Sequence, residues 1–171
     1  MEKLFVFLGN PGFKYSKTRH NVGWQICDLK YPNVNWSSKF KGLYSTCNNN
    51  LLLKPQTYMN ESGISVQRAC TFFKIKEENI IVVHDDLEKD FGTILLERGG
   101  GLRGHNGLKS IKQHLKTDNF YRLRFGIGRP RRQEIASFVL SPFSIDEQIT
   151  LPTLLNKAVE LLDNFSMGEI K

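Results

Sequence analysis

Five polar residues of this chain have the types and settings that hydrolytic chemistry requires. Asn10, His20, Asn60, Asp85 and Asn106 each stand beside glycine, at the end of an apolar run or where a helix begins. The histidine is a base that titrates near neutral pH, the aspartate can orient it, and the asparagines are amides that donate and accept hydrogen bonds without charge. No serine or cysteine nucleophile stands in a recognisable frame, so these residues predict a hydrolase that activates water.

Each of these residues also has a structural interpretation. Asparagine and aspartate favour turns and helix N-caps, and a loop histidine often bonds only nearby backbone. Asp86 competes with Asp85 as the residue that orients His20, and the sequence does not show that His20 and Asp85 meet. A rival class is a metal-dependent phosphoesterase that uses His84, Asp85 and Asp86. Because the chain has no HExxH or CxxC frame, we expect no metal.

The elements that must position these residues alternate between strands and helices. Continuous apolar runs at 4–8 and 80–83 predict strands buried on both faces, and each ends in polar residues. A single α/β domain over residues 1–171 follows, with its site at the strand ends. The remaining predicted elements are helices in 22–29, 66–73 and 108–115, a hairpin of 42–46 with 51–54, strands at 93–98 and 121–127, and a terminal helix at 149–162 that is kinked or restarted at Pro152.

Positive charge is concentrated in one part of the chain. The net charge is +7, yet the window from Glu97 to Arg132 alone holds ten Lys and Arg residues against two acidic residues, a net charge of +8. A localised positive field is what a nucleic acid or phosphate partner needs. Lys109, Lys112 and Lys116 form one stripe on the predicted helix and could contact a phosphate backbone together with Arg103 and Arg124.

Composition narrows the class of protein further. Three widely spaced cysteines form no CxxC pair, which favours a reducing compartment, and the short apolar run near the N-terminus is too brief for a signal peptide or a membrane span. We therefore expect a cytoplasmic protein with no membrane association. The glycines at 99–101 lack both the G-x-G-x-x-G spacing and a following GK[ST], so no nucleotide cofactor is predicted.

Taken together, the polar segments resemble the bacterial-type peptidyl-tRNA hydrolase signature in five motifs that occur in the family's order from Leu4 to about Pro142. The motifs are Leu8-Gly9-Asn10-Pro11-Gly12 with Tyr15 and Thr18-Arg19-His20-Asn21, Lys54 to Gly63, His84-Asp85-Asp86-Leu87, Gly104 to Ser110, and Arg122 to Pro130.

The resemblance implies a mixed twisted β-sheet flanked by helices, a monomer with no cofactor and no obligate protein partner, and hydrolysis of the ester between peptide and tRNA. It implies that His20 activates water and Asp85 orients His20. The implied substrate-binding residues are Asn10, Tyr15, Met59, Asn60 and Asn106. Arg124 matches a basic residue that contacts the tRNA 5′ phosphate.

One departure from the family pattern concerns the phosphate contact. The family commonly has a lysine just before the glycine-rich loop, and the aligned residue here is Glu97. Either Arg98 or Arg103 takes its place, with Lys109 nearby, or discrimination among tRNAs is weaker. A catalytically weak RNA-binding module on the same fold is the alternative function; the presence of His20, Asp85 and all three asparagines favours the enzyme.

Overall fold

Seven strands form one mixed sheet whose central strands are parallel. The computed structural model describes residues 2–168, and the strand order across the sheet is β2-β3-β4-β1-β5-β7-β6. Neighbouring strands are parallel from β4 through β1 and β5 to β7, while the β2-β3-β4 edge and the β6-β7 edge are antiparallel. The strands are β1 (Leu4–Phe7), β2 (Ser37–Lys39), β3 (Gly42–Cys47), β4 (Asn50–Pro55), β5 (Ile80–Asp86), β6 (Ile94–Arg98) and β7 (Tyr121–Gly126).

Helices cover both faces of the sheet. One core contains Phe5, Phe7 and Leu123 together with residues of α1 and α5, and the other contains Leu4, Val6 and residues of α2 and α3. Because successive side chains of a strand point to opposite faces, β1 alone contributes to both cores. The helices are α1 (Val22–Lys30), α2 (Ser62–Phe73), α3 (Asn106–Leu115), α4 (Ile135–Val139) and α5 (Ile145–Ser166), with short 3-10 turns at Phe13–Tyr15, Arg19–Asn21, Met59–Glu61, Glu77–Asn79 and Arg132–Glu134.

The predicted α/β class, mixed sheet and main elements are confirmed, with three differences. Strand β5 does not stop at Val83 but continues through Asp86, so the polar residues are part of the strand. Helix α5 runs unbroken through Pro152 and begins with a complete capping box of Ser144 and Glu147. The short elements β2 and α4 were not predicted, because three or five residues carry too little periodicity to recognise. Within residues 2–168, no helix has the length and apolar character needed to cross a bilayer.

Helices α2 and α3 are in close backbone contact, with Gly63 near the start of α2 lying against Ser110 in the middle of α3. A Cβ atom added at Gly63 would lie 2.1 Å from the carbonyl oxygen of Ser110 and 2.7 Å from Nδ1 of His114. The Ser110 hydroxyl also accepts a hydrogen bond from the Gly63 backbone N–H at 2.8 Å. The missing side chain at position 63 therefore sets the spacing between two helices that each begin beside a predicted site residue.

Gly63→Ala should destabilise the protein by about 1–3 kcal/mol, because the added methyl group meets backbone atoms that have no room to move aside. Urea denaturation of the variant and the wild type measures this difference. Thr71→Ala, an exposed position on the same helix, is the matched control and should change stability by less than about 0.5 kcal/mol. Equal stability of Gly63→Ala and wild type would contradict the close packing.

Candidate active site

The side chains of His20 and Asp85 are in direct contact. Asp85 lies one residue before the end of β5 and is 2% exposed, and His20 lies in the 3-10 turn that precedes α1. The Nδ1 atom of His20 is 2.9 Å from Oδ1 and 2.8 Å from Oδ2 of the carboxylate. The structure thus brings together the two residues that the sequence could not show to meet, while Asp86 makes other contacts. Their catalytic roles stay predictions.

A second imidazole, that of His105, bonds the same carboxylate from another direction. Its Nε2 lies 2.9 Å from Oδ1 of Asp85, while its Nδ1 accepts hydrogen bonds from the backbone N–H groups of Gly107 at 3.0 Å and Leu108 at 3.3 Å. A nitrogen that accepts from N–H groups carries no proton, so the proton of His105 is on Nε2 and points at Asp85. His105 is both the N-cap of α3 and a donor to the buried carboxylate.

These contacts determine which nitrogen of His20 can act as a base. With Nδ1 donating to Asp85, the neutral ring has its lone pair on Nε2. His20 lines a cavity of about 330 Å³. The ring that has the basic nitrogen therefore borders a space that can hold part of a substrate. The arrangement is that of a base whose tautomer is fixed by a carboxylate.

The pKa values of the two groups are shifted in opposite directions. Burial of the ring lowers the pKa of His20, but the charge of Asp85 and the hydrogen bond to it outweigh that effect, and the net pKa is raised above 6.5. Burial raises the pKa of Asp85, yet the charge of His20 and the hydrogen bonds from His105 and His20 bring it well below its ordinary value. The carboxylate therefore stays ionised and favours the protonated form of His20.

The third histidine of the cluster, His84, is kept neutral. Its Nδ1 lies 2.7 Å from the carbonyl oxygen of Asp85, and its ring packs against that of His105 with centroids 5.0 Å apart. Burial lowers the pKa of His84 well below its ordinary value. The Nε2 atom is buried without a hydrogen-bond partner among residues 2–168. His84 therefore contributes shape and a neutral ring to the wall of the cavity.

Asn10 is held in place by the neighbouring loops. Its backbone N–H donates to Oδ1 of Asn21 and its carbonyl accepts from Nδ2 of Asn21, both at 2.9 Å. Its own Oδ1 accepts from the backbone N–H of Met59 at 2.8 Å. Nδ2 of Asn10 has no hydrogen-bond partner within the described part of the chain and can donate to a substrate. Asn21 is a positioning residue that the sequence reasoning did not single out.

The other predicted substrate-binding residues lie in the 3-10 turn Phe13–Tyr15, in the turn before α2 and at the start of α3. Met59 is buried, Asn60 is exposed in the turn before α2, and Asn106 is exposed at the first position of α3, where it lines the cavity. Tyr15 packs edge-on against Tyr58 with ring centroids 6.4 Å apart. Asn106 thus shares one cavity with His20 and Asp85, whereas Met59 and Asn10 are joined by a hydrogen bond.

Part of the cavity lining comes from residues that the sequence reasoning missed. Arg132, Ile135 and Val139, on and before α4, line the cavity together with His20 and Asn106. They follow the Arg122–Pro130 motif and have no sequence pattern that distinguishes them from a surface loop. His105 could have been found, because it lies within the Gly104–Ser110 motif.

The sequence predicted no metal ion, and the geometry of the histidine–aspartate cluster shows how well its side chains could bind one. Among residues 2–168, one group of three side chains has ligand atoms close enough to share an ion, namely His20, Asp85 and His105. Both histidine nitrogens that face the carboxylate are bonded to it, and the proton on Nε2 of His105 leaves no lone pair there for a metal. This donor set suits a hydrogen-bonded pair of imidazoles on a carboxylate better than a cation site.

The residues of the rival phosphoesterase, His84, Asp85 and Asp86, do not form a group whose ligand atoms could share an ion. Asp86 instead bonds Arg124 and the backbone N–H of Glu88.

Arg124 is buried, whereas a residue that contacts phosphate is expected at the surface. Its side chain is fully buried, and its guanidinium donates to Oε1 of Glu97 at 2.5 Å, to Oδ2 of Asp86 at 3.3 Å and to the carbonyl oxygens of Gly99 and Gly101 at 3.3 and 2.7 Å. Arg124 and Glu97 therefore neutralise each other and hold the glycine-rich loop. Direct contact of Arg124 with a phosphate stays a prediction that would require these bonds to be exchanged.

The positive charge available at the surface is smaller than the sequence window suggests. Arg122 is also fully buried, with its guanidinium 4.3 Å from the Phe120 ring centroid, and burial lowers its pKa to about 10. Arg98, Arg103 and Lys109 are exposed and form no salt bridge within residues 2–168. Arg103 is in the left-handed region at φ 53° and its Nε donates to the carbonyl oxygen of Gly100 at 3.3 Å.

Comparison with known proteins places this chain in a family. The model of the family described as peptidyl-tRNA hydrolase matches residues 4–171. The peptidyl-tRNA hydrolase of Geotalea uraniireducens is 45% identical over 168 residues, covering 94% of this chain and 88% of the relative, and that of Coxiella burnetii is 41% identical over 174 residues, covering 99% and 93%. A crystal structure of peptidyl-tRNA hydrolase from Acinetobacter baumannii superposes with a TM-score of 0.82 at 38% identity and covers 93% of this chain and 83% of that one. The chain belongs to the peptidyl-tRNA hydrolase family.

Proposed function

We propose that this chain hydrolyses the ester between a peptide, or an N-blocked amino acid, and the 3′ ribose of tRNA, with His20 as the general base and Asp85 as the residue that orients it. The observation that carries this proposal is the fixed tautomer of His20 beside a cavity that Asn106 shares. The family match over residues 4–171 supplies the substrate.

The proposed reaction begins when Nε2 of His20 takes a proton from a water molecule as that water attacks the ester carbonyl carbon. The new imidazolium is stabilised by the carboxylate of Asp85, whose nearer oxygen is 2.8 Å from Nδ1. Collapse of the tetrahedral intermediate breaks the bond to the ribose oxygen, and His20 returns its proton to that oxygen. The products are a free carboxylic acid and a tRNA with a free ribose hydroxyl.

Neutral amides are suited to the negative charge that develops on the carbonyl oxygen. Nδ2 of Asn10 has a free donor, and the amide of Asn106 stands at the N-terminus of α3, where the helix dipole also favours negative charge. We propose these two residues, with Asn60, as substrate and oxyanion donors, and Met59 and Tyr15 as residues that line the crevice. A ribose oxygen is a better leaving group than an amide nitrogen, so one base with neutral donors suits an ester better than a peptide bond.

The same proposal includes how the substrate is held and how the protein exists in the cell. The exposed residues Arg98, Arg103 and Lys109 are proposed as the phosphate contacts, and Arg124 as their support through the glycine-rich loop. We propose that the protein acts as a cytoplasmic monomer without a cofactor or an obligate protein partner.

His20→Ala should lose nearly all release of N-acetyl-aminoacyl groups from tRNA. Among the described residues, no other histidine has one ring nitrogen bonded to Asp85 and the other nitrogen free to act as a base. A general base contributes about 10²–10⁴-fold to the rate, and tRNA binding should be retained. His114→Ala is the matched control, since the Nδ1 atom of His114 bonds the Ser110 carbonyl oxygen outside the cavity. Activity near wild type in His20→Ala would remove His20 from its role. Binding of tRNA with no hydrolysis by the wild type would favour the RNA-binding module.

Asp85→Asn should shift the acid limb of the pH dependence of kcat/KM to lower pH. In the wild type we expect that limb at a higher pH than an ordinary histidine gives, because the charge of Asp85 raises the pKa of His20 and keeps the base protonated, and hence inactive, to a higher pH. Removing the carboxylate charge leaves burial, which lowers the pKa of His20. The rate on the plateau should also fall by about 10²-fold or more, since the imidazolium loses its counter-ion. An acid limb at the same pH in both proteins would contradict the pairing.

Arg103→Gln should reduce the magnitude of the slope of log Kd against log salt by about 1, as expected when one phosphate contact is lost. Arg98→Gln and Lys109→Gln should each do the same if all three side chains contact the tRNA backbone. Lys157→Gln, an exposed position on α5 outside the basic window, is the control. Filter binding of deacylated tRNA at several salt concentrations gives the slopes, and unchanged slopes in all three variants would move the contact surface elsewhere.

A further inference from the structure

Phe13 is the most exposed large hydrophobic side chain described in this protein. It is 93% exposed and lies at the start of the 3-10 turn that follows Gly12, whose φ of 113° turns the chain there. An exposed phenyl ring costs free energy in water and neither core cluster includes it. Phe13 is not among the residues proposed for catalysis, substrate binding or phosphate contact.

The position of Phe13 in the chain keeps it near the site. It follows Asn10 by three residues, so its Cα lies within about 11 Å of the Cα of Asn10. Asn10 is bonded to the backbone of Met59, and two residues beyond Phe13 the ring of Tyr15 packs on that of Tyr58, which is itself 56% exposed. Exposed aromatic surface is therefore clustered on the loops that hold Asn10 and Met59.

The residues around Phe13 are positively charged. Lys14 and Lys17 are both exposed, and Nζ of Lys14 lies 5.0 Å from the centroid of the Tyr15 ring. The segment from Phe13 to Lys17 holds two aromatic and two basic side chains and no acidic residue. Flat rings interspersed with cations are the features that bind unpaired nucleotides, because a base stacks on the ring while its phosphate meets the cation. An apolar side chain of the peptide would need the ring but not the lysines.

From this we infer that Phe13 stacks on an unpaired base at the single-stranded 3′ end of the tRNA and positions the ester beside His20. The inference rests on the proposed function and extends it, by adding to the site a residue that binds RNA through stacking and not through hydrogen bonds. The flanking lysines supply attraction to the adjacent phosphates, so the contact tolerates any base. Phe13 is a positioning residue and takes no part in proton transfer.

The test compares binding of two deacylated tRNAs, one intact and one lacking its three 3′-terminal nucleotides, to wild type and Phe13→Ala. Loss of one stacked base is expected to weaken binding of intact tRNA by about 5- to 100-fold. The truncated tRNA should bind both proteins equally. Phe13→Trp should restore wild-type affinity, whereas Phe13→Leu should be as weak as Phe13→Ala because leucine is apolar without a flat ring.

Ile145→Ala is the control for loss of an exposed apolar side chain, since Ile145 is 83% exposed at the start of α5. In the hydrolysis assay, Phe13→Ala should raise KM more than it lowers kcat. Equal affinity of wild type and Phe13→Ala for intact tRNA, equal weakening with both tRNAs, or full affinity in Phe13→Leu would each overturn the inference. Because binding is measured without turnover, a wild type that fails to hydrolyse the substrate would count against the proposed function and not against stacking.

Discussion

The ionised carboxylate of Asp85 is the group on which the rest of the site depends. A buried charge is costly unless it is paired and hydrogen-bonded, and here two imidazoles meet it from elements far apart in the chain. One imidazole comes from the turn before α1 and the other caps α3. The need to satisfy one carboxylate therefore fixes the position of His20 and, through the cap, the direction in which α3 begins. The orientation of the proposed base and the start of a helix are set by hydrogen bonds to one group.

Much of this arrangement could be predicted from the sequence, because it follows from rules that act locally. Apolar runs at 4–8 and 80–83 identify central strands, and strands β1 and β5 pair in parallel. Parallel neighbours end at the same edge of a sheet, so Asn10 and Asp85 were expected at one edge. The contact of His20 with Asp85 was implied by the family resemblance alone; the residues themselves could not predict it, since the two lie 65 positions apart with α1, β2 to β4 and α2 between them.

The parts that sequence reasoning missed are those that depend on distant partners. Alternation along β7 correctly places Leu123 and Arg124 on opposite faces of the sheet. It does not show that the face with Arg124 is buried as well. Arg124 is buried because Glu97 and Asp86, 27 and 38 residues away, neutralise it, and no local pattern reports such a pairing. Helix α5 likewise continues through Pro152 because Ala158, Leu162 and Phe165 pack into the core beyond it. Tertiary packing there outweighs a local preference for breaking the helix.

The contact between Gly63 and the Ser110 carbonyl has a consequence for how this site can vary. Most distances in a binding site are set by side chains, which substitution can lengthen or shorten. The separation of the helices that begin beside Asn60 and Asn106 is set instead where the backbone of Gly63 lies against the carbonyl of Ser110, with no side chain on Gly63 to exchange. Substitution of a side chain therefore cannot change the distance between these two helices in small steps. Differences in substrate preference among proteins with this contact must arise from the loops around the crevice, where added or altered side chains leave the two helices undisturbed.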